Sequence, residues 1–304
     1  MSLNDDAQID TSQIEDRRGS GGGGLGGLSG IPIPTSKSGL IITAIIVLIT
    51  LVGGGFGANS LLGGGNDSDQ EVNQCTTANP DRLDDTDCRN ALYVNSVQAF
   101  WQKELPQNFG KQYAKANTVF FSQAVSTGCG QADTNVGPFY CPADHKVYID
   151  LTFYDELASR FGAPGQFAQA YVLAHEYGHH VQSLLGTEAA VRRAQQRDPG
   201  SENAYSVMLE LQADCYAGVW SKHATQTTDA AGRPIFKSLT QAQINEALQA
   251  ASAVGDDAIQ KKMGGGVDES KFTHGSSADR QKWFTAGYES GEPNKCDTFQ
   301  GKLS

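Results

Sequence analysis

The stretch Leu173-Ala-His-Glu-Tyr-Gly-His-His-Val-Gln182 decides how this chain is read. It contains His175-Glu176-x-x-His179. On a helix, residues four apart share one face, about 5–6 Å apart. Both imidazoles can then reach one metal ion at the usual Zn–N distance of about 2.0–2.1 Å. Glu176 follows His175 directly, borders the metal and can hold a water as general base. His180 lies about 140° round the helix from the first histidine, so it is assigned no ligand role. Leu173, Tyr177, Val181 and Leu184 form the opposing, packing face. Gly178 inside the helix costs about 1 kcal/mol against Ala, which implies a close neighbouring element. The pattern predicts a helix over Phe167–Leu185 that stops at Gly186.

A catalytic zinc takes three protein ligands and keeps one open position. The segment Glu210-Leu-Gln-Ala-Asp214 begins 31 residues after His179, inside a predicted helix over Glu202–His223. Glu210 supplies the third ligand. Asp214 is one turn on, on the same face, and can accept the Nδ1–H of a ligand histidine, His175 in the first instance. Val207, Leu211 and Val219 pack the other side. His145 and His223 read as structural, and Cys215 as a disulfide partner.

Outside this centre, Asn90–Leu105 has helical spacing and ends at Pro106. Thr118–Val125 and Lys146–Phe153 are strand-like, β-branched and aromatic. The second of these precedes the metal helix and, as an edge strand, could take an extended substrate by strand addition. Gln241–Val254 and Ser277–Glu289 read as shorter helices. Strands followed by several helices predict an α+β fold.

The chain has 304 residues and a net charge of −11. Three of its 23 Lys and Arg and five of its 34 Asp and Glu precede residue 59, so 20 cations face 29 acids beyond it. Nucleic-acid binders need a basic face, so that partner class is excluded. Residues 1–38 are polar and rich in Gly and Ser and read as a disordered cytoplasmic tail. No charge occurs between Lys37 and Asp67, and residues 39–58 reach the length needed to cross a bilayer. Cations precede that run and acids follow it, which puts the N-terminus in the cytoplasm and the remainder outside. A cleaved signal peptide is the alternative, but a 38-residue leader is long for one. Residues 59–87 read as a stalk, and 88–304 as the folded domain.

Six cysteines behind a membrane segment suggest disulfides in an oxidising compartment. Sequence alone cannot choose among their pairings. Proximity favours Cys75–Cys88 and Cys129–Cys141, which leaves Cys215–Cys296.

The paired motifs resemble the gluzincin group of zinc peptidases. Tyr-Cys-Pro at 140–142, Lys-Val-Tyr-Ile-Asp at 146–150, His175 to His180 and Glu210 to Cys215 resemble, more closely, the bacterial putative neutral zinc metallopeptidase family. That resemblance covers about residues 75–300. It implies a zincin-like domain behind a single membrane span, one Zn2+ ion and a peptide or protein substrate. The segment Thr273-His274-Gly-Ser-Ser-Ala-Asp-Arg280 is also similar to the His-x5-Arg segment of membrane-associated zinc endopeptidases, which implies that His274 helps stabilise the oxyanion. Gly275 stands where that group usually has Pro. Arg280 reads as a helix-surface cation or as a pin behind the site. The expected activity is metal-assisted peptide hydrolysis with Glu176 as base. The rival reading is a non-catalytic, zinc-stabilised extracytoplasmic binding module.

Overall fold

A computed structural model describes residues 2–18 and 75–303. The chain forms β1 (Ser2–Leu3), β2 (Ile14–Asp16), α1 (Thr86–Phe109), β3 (Thr118–Phe120), β4 (Ala124–Thr127), β5 (Gly130–Asp133), β6 (Phe139–Cys141) and β7 (Lys146–Ile149). There follow α2 (Phe153–Ser159), α3 (Gln166–Leu185), α4 (Thr187–Arg197), α5 (Glu202–His223), β8 (Phe236–Ser238), α6 (Gln241–Ala253), α7 (Asp256–Lys262) and α8 (Ser277–Ser290). This is the mixed α+β class that the pattern predicted.

The main sheet has strand order β2-β3-β7-β6. β2, β3 and β7 run parallel, and β6 returns antiparallel to β7. The strand expected over 146–153 is therefore an inner one and has no free edge. It also stops at Ile149, because Asp150 accepts hydrogen bonds from the Thr152 amide and hydroxyl and turns the chain into α2. The strand expected over 118–125 is two strands. The break falls at Gln123, whose φ is 67°. α1 runs through Pro106 to Phe109 rather than ending before it.

The core lies between the helices. Trp220 of α5 stacks on Phe167 of α3, with ring centroids 5.7 Å apart, and its indole N–H reaches Ser96 of α1. Glycines set the helix spacing. A Cβ on Gly178 would come within 3.0 Å of the Ala213 Cα, so α3 and α5 meet backbone to backbone. A Cβ on Gly218 would lie 2.0 Å from the Phe284 carbonyl oxygen, and one on Gly287 would lie 2.0 Å from that of Cys215. No side chain fits at either point, and α8 presses directly on α5. The disulfides are Cys75–Cys88, Cys129–Cys141 and Cys215–Cys296.

The disordered tail expected over 1–38 does not hold for residues 2–18. β1 pairs with β8, and β2 adds to the main sheet beside β3. The segment's apolar anchors, Leu3, Ala7, Ile9 and Ile14, do not repeat at a helix or strand period, and polar contacts supply the rest, which a hydrophobicity pattern does not register. Residues 75–87, expected in the stalk, carry the buried Cys75 and Arg82. The span expected over 39–58 lies outside the described residues. Among the described residues no helix is long and apolar enough to cross a membrane.

Candidate metal centre

α3 is buried along most of its length, and both motif histidines are within it. The helix ends at Gly186, whose φ of 79° supplies the left-handed cap that the sequence indicated. Gly178 lets α5 close on this helix at the turn that carries His179. Glu210 thereby faces the two imidazoles from the second helix.

The geometry is that of a three-donor site. His175 Nε2 is 3.2 Å from His179 Nε2 and 3.1 Å from Glu210 Oε2. His179 Nε2 is 3.4 Å from Glu210 Oε1. Two donors bound to one tetrahedral zinc at about 2.05 Å stand about 3.3 Å apart. The three residues form the described group of His, Cys, Asp and Glu side chains able to hold a metal.

The donors are aimed from behind. His175 Nδ1 meets Asp214 Oδ1 at 2.8 Å, which leaves Nε2 for the metal. His179 Nδ1 meets Gln182 Oε1 at 2.8 Å, and the Gln182 amide donates to the Leu209 carbonyl at 2.7 Å. Each hydrogen bond selects the tautomer whose distal nitrogen points into the site. Asp214 is itself clamped. The Tyr171 hydroxyl donates to Oδ1 at 2.6 Å, and Arg280 Nε donates to Oδ2 at 2.8 Å. Arg280 and Asp214 are both fully buried. Arg280 is thus the pin behind the site, and the reading as a helix-surface cation is overturned. The close approach of α5 and α8 at Gly218 and Gly287 brings it there.

The charges follow the contacts. Burial pushes the Glu210 carboxyl up, but the two imidazoles outweigh it and hold it well below the usual carboxylate range. Burial likewise opposes ionisation of Asp214, and Arg280 and His175 overcome it. Burial lowers the His175 imidazolium, yet Asp214 and Glu210 raise it to about 9 in the metal-free protein. Glu176 behaves differently. Burial raises its carboxyl to about 7, against the pull of His175 and His179. Both of its oxygens are buried with no partner at full hydrogen-bond geometry, and the Tyr140 backbone amide adds only a minor pull towards the charged form. An orphaned buried carboxylate needs a ligand or a water to satisfy it. Three donors with an unpaired carboxylate alongside fit a zinc ion with an open position, rather than a closed four-ligand structural site.

His274 sits in the loop before α8, largely buried and close enough to Glu210 to feel its charge. Its Nδ1 faces Asp256 Oδ1 at 3.2 Å. The other oxygen of Asp256 accepts the backbone amides of Thr273, His274 and Gly275 at 2.8, 2.7 and 2.9 Å. Gly275 has φ +95°, and a Cβ there would press on Val207 and Leu211. Proline can neither adopt that φ nor donate that amide, so this loop departs from the proline form of the motif.

His180 points away from the centre, as its spacing required. Its Nε2–H donates to the Ala114 carbonyl at 2.6 Å, and its Nδ1 accepts from the Tyr140 hydroxyl at 3.1 Å. Burial depresses its pKa to about 4. His145 Nδ1 meets the same hydroxyl at 2.9 Å, and His223 meets the Gly291 carbonyl at 3.0 Å. Sequence reasoning missed Gln182, Tyr171 and Asp256. Only Gln182, three residues after His179, was within reach of a local spacing rule.

A helix bearing His-Glu-x-x-His, faced by a carboxylate on a second helix, is a donor set that could hold a metal ion, in keeping with a zinc peptidase. The chain belongs to the family described as "Putative neutral zinc metallopeptidase", whose model matches residues 5–299. It is similar to the Escherichia coli "Uncharacterized protein YpfJ", with 40% identity over 296 residues, 95% of this chain and 96% of the relative. It is also similar to the Mycobacterium tuberculosis "Uncharacterized protein Rv2575", with 47% identity over 232 residues, 75% of each chain. No solved structure matches the chain.

Proposed function

We propose that this protein is a zinc-dependent endopeptidase with Glu176 as its general base. The observation that carries this reading is the Glu176 carboxylate: buried, unpartnered, and one residue from a three-donor cluster. A non-catalytic zinc module has no use for an orphaned carboxylate there, whose burial unpaired is costly.

Zinc bound by His175, His179 and Glu210 would polarise the scissile carbonyl and lower the pKa of its water towards about 7. Glu176 takes the proton as the water oxygen attacks the carbonyl carbon, and returns it to the amine as the C–N bond breaks. His274, oriented by Asp256, donates from its imidazole to the oxyanion. Asp214, Tyr171 and Arg280 keep His175 fixed through the cycle. Three disulfides support an oxidising compartment for the domain.

The test is Glu176→Gln in the full chain. Zinc content by elemental analysis should stay unchanged while hydrolysis of casein or a peptide library is lost. Full activity in that variant would refute the base assignment. Wild-type protein that binds zinc and cleaves nothing would favour the binding module.

A further inference from the structure

We infer that residues 2–18 and the body from Cys75 onward lie on the same side of any membrane the protein meets. A single span joining a cytoplasmic tail to an external domain is incompatible with this arrangement.

The first observation is the sheet. Ile14, Glu15 and Asp16 pair in register with Thr118, Val119 and Phe120, and Ser2 and Leu3 pair with Ser238 and Phe236. Strand hydrogen bonds cannot reach across about 30 Å of hydrocarbon.

The second is that the body contains buried polar side chains whose partners are in the segment. Arg82, 1% exposed, donates to the carbonyls of Asp5 and Ala7, both at 2.7 Å, and to that of Cys75 at 3.3 Å. Asn95 accepts the Asp10 amide at 2.8 Å and donates to the Asp10 carbonyl at 3.1 Å. Gln98, fully buried, donates to Gln13 Oε1 at 2.7 Å. Removing the segment would strip the Arg82 guanidinium and two amides of those partners. The segment is therefore part of the folded body. The family match takes in residues 5–18 of it.

The third is where the chain leaves and returns. Arg18 pairs with Asp87 through two contacts, of 3.1 and 2.5 Å. Cys75 is bonded to Cys88. Asp87 and Cys88 are consecutive in the first turn of α1. The exit and the re-entry are thus pinned to neighbouring residues, which cannot occupy opposite faces of a bilayer. The Cys75–Cys88 bond also needs oxidising conditions, so the N-terminal segment shares them.

The experiment is cysteine labelling of the full chain in bacterial spheroplasts. The six native cysteines are all in disulfides and do not compete. Asp6→Cys and Gln8→Cys report on the segment, and Ala204→Cys on the body; all three sites are exposed. A membrane-impermeant maleimide is applied before and after lysis, and zinc content serves as the folding check for each variant. Segment and body sites should label alike, within about twofold, in both conditions. Labelling of Ala204→Cys in intact spheroplasts, with both segment sites reactive only after lysis, would overturn the inference, as would the reverse pattern.

Discussion

His175 Nδ1 and Asp214 Oδ1 stand 2.8 Å apart, across the contact of two helices whose residues are 39 positions apart in sequence. The bond fixes which nitrogen of His175 faces Glu210 and His179. Asp214→Asn keeps the shape and removes the charge that steadies this imidazole. Zinc affinity in competition with a chelator should fall about 10- to 100-fold. The buried Arg280 also loses its counter-ion, which should cost about 3–5 kcal/mol of stability. Unchanged affinity would show that the pair does not act through the metal.

Zinc binding should release a proton from His175 in neutral solution. The metal-free imidazole, raised to about 9, is protonated at pH 7 and must be neutral to bind. Raising the pH removes that competing proton, so affinity should rise about tenfold per pH unit below 9 and level off above it. Calorimetry in buffers of different ionisation enthalpy reads the proton count. No proton released at pH 7 would contradict the charge state assigned to His175.

Asp256 should matter through His274. Asp256→Asn weakens the hold on Nδ1 and on the three loop amides. In peptide hydrolysis, kcat should drop by about 10²-fold or more, with KM little changed, as for loss of an interaction made in the transition state. Zinc content should be preserved. An effect confined to KM would place His274 in substrate binding instead.

Acid should destabilise the fold through His180. Its folded pKa is depressed to about 4, below the unfolded value of about 6.5. The stabilisation is therefore complete above about 6.5 and is lost as pH falls towards 4, a change of about 3 kcal/mol. His180→Gln cannot take up the proton, so its denaturation midpoint should vary less with pH across that window. An identical slope in both proteins would remove His180 as the cause.

The Glu176 and His175–His179 spacing, the extents of α3 and α5 and the close approach at Gly178 were legible because they depend on helical period and local caps. Glu210 and Asp214 were legible because one helical turn puts both on one face. Arg280 was ambiguous, since its burial depends on Gly218 and Gly287 letting α8 press on α5. Asp256 was invisible, because it acts through a loop 17 to 19 residues on. Residues 2–18 were misread because two short strands paired at long range, with scattered apolar anchors, carry no apolar period.

By itself, then, the sequence determined the helix that carries His175, Glu176 and His179, and the family, because short-range spacing sets which side chains share a face. The tertiary structure decided what aims those side chains and where the N-terminal segment lies. Pairing between residues more than a hundred positions apart depends on which backbones can approach, and that is settled only when the whole chain packs.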